Sequence, residues 1–287
     1  MMEKEMAYGT DYKYIPATSI ESGRGHEVAS DIFCQTIQIV NICFVGHPNH
    51  QDKWVLVDAG MPKSADDIIS AAEERFGRKS RPQAIVLTHG HFDHVGAIIE
   101  LINHWKVPVY AHELELPYLT GKLEYPEPDP SVGGGLVARM SPIFPNEPID
   151  LGNHAKQLPS DGSVPGMPGW HWIHTPGHTP GHISLFREGD RSLIAGDAFV
   201  TVKQESLYKV ITQEQEISGP PKYFTTDWQA AKESVAKLEA LMPSAAVTGH
   251  GMPMEGQILL DSLQQLVSEF DRIAVPDHGI YVDEVKH

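Results

Sequence analysis

Residues 88–97 read Thr88-His-Gly-His-Phe-Asp-His-Val-Gly-Ala97, and they directly follow the apolar run Ala84-Ile-Val-Leu87. Four side chains in this stretch can bind a metal: His89, His91, Asp93 and His94. Imidazole nitrogen suits zinc and similar first-row cations, and carboxylate oxygen suits slightly harder ones. So many polar groups at the end of a buried strand are costly unless a cation lies among them. The stretch therefore predicts a metal site.

Three later segments carry the same kinds of side chain beside glycine. They read Thr175-Pro-Gly-His-Thr-Pro-Gly-His182, Ala195-Gly-Asp-Ala198 and Thr248-Gly-His-Gly251. Each segment follows a strand-like run or forms its end, and glycine permits the tight backbone that aims a side chain into a crowded centre. We therefore expect these segments to carry the same chemistry as residues 88–97.

The order of these motifs, His-x-His-x-Asp-His followed by His, Asp and His, resembles that of the metallo-β-lactamase superfamily. The resemblance covers about residues 35–251 and points to the dinuclear hydrolases, which include glyoxalase II-like thioesterases and acyl-homoserine-lactone lactonases. It implies an α/β fold, namely the αββα four-layer sandwich with two mixed β-sheets flanked by helices. In that fold the site lies at the edge where the two sheets meet.

The resemblance also implies how the ligands are shared between two metal ions. His89, His91 and His178 would hold one ion; Asp93, His94 and His250 would hold the second; Asp197 would bridge both. His182, four residues after His178, is the alternative ligand there, although the family pattern favours the first of the pair. This ligand set exceeds the three or four protein groups of one tetrahedral zinc, which also indicates two ions. We expect zinc, with manganese and iron as alternatives.

The charge of such a centre indicates its chemistry. Two divalent ions bring about +4, whereas Asp93, Asp197 and one bridging hydroxide bring about −3, so the centre can stabilise a developing oxyanion. The resemblance thus implies a metal-dependent hydrolase in which the bridging hydroxide attacks the carbonyl of a lactone, ester or thioester. Asp93 is the predicted catalytic residue, because it can orient the hydroxide and pass a proton to the leaving group.

The sequence constrains the substrate less than the reaction. Similar lactonases carry a tyrosine three residues after the bridging aspartate, but this chain has Val200 there, which argues against a homoserine-lactone substrate. Tyr208 is the candidate replacement, with simple packing as its other interpretation. Two alternative functions on the same fold are an iron-dependent oxidoreductase similar to the persulfide dioxygenases and a phosphodiesterase. A catalytically silent metal-binding protein is a third alternative, which would not need every ligand.

Composition limits the partners of the chain. Its 287 residues carry a formal net charge of −16, whereas binding to nucleic acid or an anionic membrane needs a basic surface. Apolar runs fall short of the roughly 18 residues of a membrane helix. We therefore expect a cytoplasmic protein that acts on a small molecule, with a homodimer left open. Cys34 and Cys43 are not expected to form a disulfide, because an odd spacing on one straight strand puts them on opposite faces.

Strands alternate with helices along most of the chain, which is typical of a layered α/β domain, here taken as one domain over residues 1–287. We expect strands over 32–45 (with a bend), 54–57, 84–88, 107–111, 170–174, 182–186, 192–195 and 245–248. Helices are expected to begin at Ser64 and at Thr226, and to cover 95–104 and 256–274.

Two further features are predicted to surround the metal site. Residues 112–170 hold ten of the chain's 22 prolines, which predicts a cover beside the site with one or two short helices. Asp58 follows a buried strand and is predicted to fix the imidazole of one ligand, with an ordinary turn carboxylate as the alternative.

Overall fold

The structure, a computed structural model, describes residues 5–48 and 50–282. The described residues form two compact units: unit 1 lies within Met1–Tyr125 and Pro145–Trp170, and unit 2 lies within Pro126–Phe144 and His171–His287. The prediction of one domain over residues 1–287, some of which lie outside the described ranges, stays a prediction. Among the described residues, no helix is long and apolar enough to span a membrane.

Unit 1 is built on a mixed sheet whose strands follow one another in chain order. The strands are β1 (Gly25–Ala29), β2 (Ile32–Ile37), β3 (Val40–Val45), β4 (Val55–Val57), β5 (Ile85–Val86), β6 (Val109–Ala111) and β7 (Ala155–Gln157). Strands β1 to β4 pair antiparallel and β4 to β7 pair parallel, so β5 is an interior strand. The helices are α1 (Ala65–Phe76), α2 (Phe92–Val95), α3 (Ile98–Trp105) and α4 (Leu116–Leu119).

Helix α1 packs its apolar face into the core of unit 1. Ile68, Ala72 and Phe76 recur at helical spacing and are fully buried. The Phe76 ring stacks on Trp54 with centroids 4.5 Å apart, which ties the end of the helix to the sheet beside β4. The predicted start at Ser64 is correct, although the Ser64 side chain does not cap the helix, since its hydroxyl donates to the carbonyl of Met61.

Two predicted elements of unit 1 are each divided in the structure. Residues 32–45 form the hairpin β2–β3, with a turn at Gln38, whose φ is +59°. Cys34 and Cys43 are therefore directly opposite each other on neighbouring strands, so the premise of one straight strand is wrong; both are buried free thiols. The helix predicted over 95–104 divides into α2 and α3, because the backbone N–H groups at 96 and 97 donate to carbonyls of residues 60 and 59.

Unit 2 contains a second mixed sheet and a small two-stranded one. The large sheet has the order β14 (Met254–Glu255), β13 (Ala245–Thr248), β10 (Ser192–Gly196), β9 (Ile183–Arg187) and β8 (Trp170–His174); β11 (Val200–Val202) pairs with β12 (Gln215–Ser218). Strands β10 and β13 run parallel, so their carboxyl ends lie side by side. The helices are α5 (Leu136–Met140), α6 (Leu207–Thr212), α7 (Trp228–Ala240), α8 (Gly256–Ser268) and α9 (Phe270–Ile273).

Helices α7 and α8 supply most of the apolar side chains that pack on the large sheet of unit 2. Val235 and Leu238 of α7 join Leu259 and Leu263 of α8 in one buried cluster with Leu193 of β10. The helix predicted over 256–274 is two helices, because the chain bends at residue 269 between α8 and α9. Both units thus combine a mixed sheet with helices, which confirms the predicted mixed α/β class.

The amino end of α7 is capped by Asp227, one residue after the predicted Thr226. The Asp227 carboxylate accepts the backbone N–H of Ala230 at 2.8 Å. The backbone N–H groups of Thr226 and Asp227 both donate to the carbonyl of Gly177. This close approach holds the turn at Gly177 against the start of α7.

We expect Gly177→Ala to destabilise the fold by about 2–5 kcal/mol, from overpacking and an unfavourable φ. A methyl group at Gly177, where φ is +132°, would lie 2.4 Å from the backbone nitrogen of Ala231. The measurement is the urea midpoint of unfolding. Gly189→Ala is the matched control, because an added methyl group there would meet no described heavy atom within 4 Å. Equal midpoints for the two variants would contradict this account of the turn.

The proline-rich segment 112–170 contains more regular structure than predicted. It holds α4, α5 and β7 together with short 3₁₀ turns at Val132–Gly134 and Ser141–Ile143. Its two ends, 112–125 and 145–170, belong to unit 1, and 126–144 belongs to unit 2. The expected one or two short helices are present within it as α4 and α5. Its role as a cover stays a prediction.

Candidate metal centre

In unit 1, a first donor group leaves the carboxyl end of β5. It consists of His89, His91, Asp93 and His94, all of which are buried. Candidate ligand atoms of His89 and His91 lie within 4.8 Å of each other, as do those of His89 and His94 and those of Asp93 and His94. The short helix α2 begins just after His91, and it places the His94 ring 4.1 Å from that of His89. The sequence-predicted cluster is therefore a spatial cluster within this unit.

Asp58 organises the imidazoles of the first donor group. Its Oδ1 accepts the backbone N–H of Thr88 at 2.8 Å, and its Oδ2 lies 2.8 Å from both the Thr88 hydroxyl and Nδ1 of His94. The Thr88 hydroxyl in turn lies 3.1 Å from Nδ1 of His89. With their Nδ1 atoms engaged in this way, His89 and His94 present Nε2 as the atom for a metal. The contact to His94 supports the predicted role of Asp58.

We expect Asp58→Asn to weaken metal binding by about 10- to 100-fold. The amide would put an N–H₂ group where one carboxylate oxygen now accepts, so a donor would face a donor at Thr88 or His94. The affinity is measured by competition with a chromophoric chelator. Asp67→Asn, the same change at an exposed position on α1, is the control and should bind metal as the wild-type protein does. Equal affinities for both variants would show that Asp58 does not act on the ligands.

In unit 2, a second donor group forms where β10 and β13 end side by side. It consists of His178, Asp197 and His250, which are 2%, 2% and 1% exposed. Oδ2 of Asp197 lies 3.4 Å from Nε2 of His178 and 3.3 Å from Nε2 of His250. Strands β10 and β13 pair in parallel, and their last paired residues are Gly196 and Thr248. Asp197 and His250 follow these residues, so the pairing brings the two side chains together. One carboxylate oxygen thus faces two imidazoles.

Neighbouring side chains of unit 2 set the orientation of this second donor group. Nδ1 of His178 lies 3.2 Å from the hydroxyl of Thr225, which donates to the carbonyl of Pro221 and so accepts from the imidazole. The backbone N–H of Asp197 donates to Nε2 of His182 at 2.8 Å. Because that nitrogen is used as an acceptor, His182 positions the aspartate backbone, and His178 is the better metal ligand of the pair.

Val200 and Tyr208 are the two positions that the sequence analysis considered for a substrate-contacting tyrosine. Val200 is buried in β11, and Tyr208 is 69% exposed on α6, so the packing interpretation of Tyr208 is not supported.

Burial, followed by the charges of Asp11 and Asp93, raises the pKa of Tyr12 well above its ordinary value. Tyr12 is therefore a protonated hydroxyl within electrostatic reach of a candidate ligand.

Two residues beside the first donor group had no recognisable signal in the sequence. Glu115 is fully buried and its carboxylate accepts the backbone N–H of Gly90 at 3.0 Å. The Tyr125 hydroxyl donates to the same carboxylate oxygen, and burial together with the Glu115 charge raises the pKa of Tyr125 well above its ordinary value. Both lie in the proline-rich segment, where an isolated acid or tyrosine is ordinarily solvent-exposed or packed.

The two donor groups fit a divalent cation by their chemistry. They offer imidazole nitrogens and carboxylate oxygens, the ligands that zinc and similar ions take in proteins. The imidazoles are held by hydrogen bonds from their other ring nitrogens in the manner of metal-binding histidines, as at His94 and His178. Histidine and aspartate clusters of this kind indicate divalent metal binding.

A sequence profile described as the metallo-beta-lactamase superfamily matches residues 36–250. The chain belongs to this superfamily. A Bacillus subtilis (strain 168) protein named "Probable metallo-hydrolase YflN" is 51% identical over 260 residues, covering 91% of this chain and 98% of that protein. "Hydroxyacylglutathione hydrolase GloC" of Haemophilus influenzae is 30% identical over 117 residues, covering 40% of this chain and 49% of that protein.

The fold agrees with that of solved superfamily members. An archaeal metallo-beta-lactamase superfamily protein from Sulfolobus tokodaii matches with a TM-score of 0.55 and 20% sequence identity, covering 95% of this chain and 92% of that one. The two mixed sheets with their helices therefore match the metallo-β-lactamase fold, as predicted. Superfamily membership, with the donor groups described above, supports a metal-dependent hydrolase.

Proposed function

We propose that the chain is a dinuclear metal-dependent hydrolase that cleaves a carbonyl ester-type bond in a lactone, ester or thioester. The observation that carries the proposal is the Asp197 carboxylate, of which one oxygen lies 3.3–3.4 Å from the imidazoles of both His178 and His250. A carboxylate that faces the ligands of two different ions in the superfamily pattern is suited to bridge them.

The proposed ligand sets follow the superfamily pattern. In that pattern His89, His91 and His178 would hold one ion, Asp93, His94 and His250 would hold the other, and Asp197 would be shared by both. When bound, the two ions supply Lewis-acid polarisation of the substrate carbonyl and lower the pKa of a bound water toward about 7. We propose zinc as the resident metal, with manganese and iron as the alternatives to test.

The protein's own residues perform the remaining steps. Asp93 is buried at the start of α2, and its carboxylate accepts the proton of the attacking water and delivers it to the leaving oxygen or sulfur. Asp58 and Thr88 keep the imidazoles of His89 and His94 fixed during this transfer. Such fixed groups need little reorganisation at the moment of reaction, which is where a preorganised site gains its rate.

A carbonyl substrate is better supported than a phosphodiester. The chain carries a formal net charge of −16, which repels polyanionic nucleic acid. The similar Haemophilus influenzae protein is named as a hydrolase of a glutathione thioester, which supports including thioesters among the substrates. Val200 at the position of the lactonase tyrosine argues against homoserine lactones as the main substrates.

The experiment is a hydrolysis screen of lactones, aryl esters, thioesters, phosphodiesters and β-lactams with zinc-, manganese- and iron-loaded protein. We expect turnover on at least one carbonyl class, and two equivalents of metal by elemental analysis. An oxygen electrode run in parallel tests an iron-dependent oxidoreductase. Oxygen consumption without carbonyl hydrolysis, or cleavage of phosphodiesters alone, would overturn the proposal.

A further inference from the structure

A buried carboxylate lies beside the first donor group but is not part of it. Glu115 immediately precedes α4 and is fully buried. Its Oε2 accepts the backbone N–H of Gly90, at 3.0 Å, and the hydroxyl proton of Tyr125. Gly90 is the residue between the two candidate ligands His89 and His91. A buried carboxylate is stable only where hydrogen-bond donors or cations surround it. The burial of Glu115 therefore depends on the donors at Gly90 and Tyr125.

Tyr125 reaches the same peptide from a different part of the chain. Its hydroxyl oxygen lies 3.0 Å from the Gly90 nitrogen, so this N–H is shared between Glu115 and Tyr125. The Tyr125 ring stacks on Tyr118, with centroids 4.1 Å apart and planes 5° from parallel. The same ring lies 4.6 Å from the imidazole of His91. The tyrosine thus touches the metal motif at both its backbone and one of its side chains.

The arrangement around Gly90 leaves little room for a side chain. A methyl group at Gly90 would lie 2.6 Å from the Tyr125 hydroxyl oxygen and 3.1 Å from a methyl group of Leu119. The first distance is shorter than a carbon–oxygen contact allows, and the second is a tight carbon–carbon contact. The glycine in His89-Gly-His91 therefore accommodates the close approach of the Tyr125 hydroxyl and the Leu119 side chain.

We propose that Glu115 and Tyr125 are positioning residues of the metal centre: they hold the Gly90 peptide, and the Tyr125 ring packs against His91, so that the His89 and His91 imidazoles keep the orientation that binds one ion. This inference rests on the proposed function for the identity of the ligands. Residues that orient metal ligands in this way commonly change metal affinity 10- to 100-fold when removed. The positioning comes from residues 112–125, the first part of the proline-rich segment that the sequence predicts as a cover with one or two short helices.

The test uses full-length protein loaded with Co²⁺, whose visible absorption reports the geometry of its ligands. Tyr125→Phe keeps the ring and removes the hydroxyl, and Glu115→Gln keeps the shape and removes the charge. We expect each variant to shift the cobalt absorption band and to weaken binding of one Co²⁺ equivalent by about 10- to 100-fold in chelator competition. Gly90→Ala, which displaces the Tyr125 hydroxyl from the other side, should produce the same shift.

Matched substitutions nearby separate positioning from general destabilisation. Tyr118→Phe removes a hydroxyl from the stacked partner ring, and Glu113→Gln alters an exposed carboxylate that accepts from Gln157. Both controls should keep the wild-type cobalt spectrum and affinity. If Glu115→Gln fails to fold, Tyr125→Phe alone decides, because its ring and packing are retained. A wild-type spectrum and affinity in Tyr125→Phe would overturn the proposal.

The cobalt measurement needs no substrate, so the two proposals fail in different ways. Wild-type protein that binds two Co²⁺ ions but hydrolyses no carbonyl substrate would overturn the proposed function, and altered spectra in Tyr125→Phe would still support the positioning role. Hydrolysis of a carbonyl substrate together with unaltered spectra in Tyr125→Phe would overturn the positioning role only.

Discussion

Asp197→Ala is expected to remove bound metal and to lower kcat/KM for any carbonyl substrate at least about a thousandfold, a loss of about 4 kcal/mol in transition-state stabilisation. The physical reason is the position of this carboxylate, which faces the imidazoles of His178 and His250 within 3.4 Å and is 2% exposed. Without this carboxylate, the histidines of unit 2 would face a metal cation with no negative charge beside them to offset it. Elemental analysis and steady-state kinetics on the substrate found in the screen measure the two effects.

Asp190→Ala is the matched control for this variant. Asp190 lies in the turn before β10, is exposed, and pairs with Arg187 on the surface. Exposed ion pairs contribute about 0–1 kcal/mol to stability, so this variant should keep its metal and its rate. An Asp197→Ala protein that retained two metal equivalents and full turnover would contradict the proposed bridging role, whatever the behaviour of the control.

Removing the metal from wild-type protein is expected to abolish hydrolysis and to lower Tm on the order of 10 °C. An ion that binds only the folded state, at a free concentration about a thousandfold above its Kd, stabilises that state by about 4 kcal/mol. For a chain of this size that free energy corresponds to roughly 10 °C. The apo protein must also keep the Asp93 and Asp197 carboxylates buried without the positive charge of a metal ion.

The comparison is made by differential scanning calorimetry after dialysis against a chelator, and again after adding back zinc, manganese or iron. The metal that restores both Tm and turnover most fully is the best match to the site. A control with calcium, which prefers six to eight oxygen ligands, should restore little. Unchanged Tm and unchanged turnover in chelated protein would contradict a functional metal centre.

The mixed α/β class was predictable because the apolar residues of this chain recur regularly along its strands and helices. Strands β8 (Trp170–His174) and β13 (Ala245–Thr248) have the predicted bounds. Their apolar runs end in glycine-containing turns, and such local signals do not depend on distant residues. The predicted first donor group is also local, because all four of its residues fall within six positions of one another.

The errors in the sequence prediction arose where hydrogen bonds and turns of the folded chain override local preference. Gly96 and Ala97 would continue a helix, but their N–H groups donate to carbonyls at residues 60 and 59, so the helix divides. Ser64 is a good cap by composition, yet its hydroxyl donates to Met61. Cys34 and Cys43 face each other because a tight turn at Gln38 makes a hairpin of what looked like one strand. The bonds of residues 96 and 97 join distant segments, whereas Ser64 and Gln38 lie in local turns that the sequence pattern did not distinguish from a helix cap and a bend.

By itself, the sequence determined the superfamily, the mixed α/β class and the metal-capable residues, because those depend on short motifs and local periodicity. Only the tertiary structure decided that His182 supports the Asp197 backbone, that Asp58 contacts His94, and that Glu115 and Tyr125 meet at Gly90. These contacts join residues 15 to 36 positions apart, and they form because strands and loops distant in sequence close on one another. A hydrogen bond depends on distance and angle, and a one-dimensional pattern carries neither.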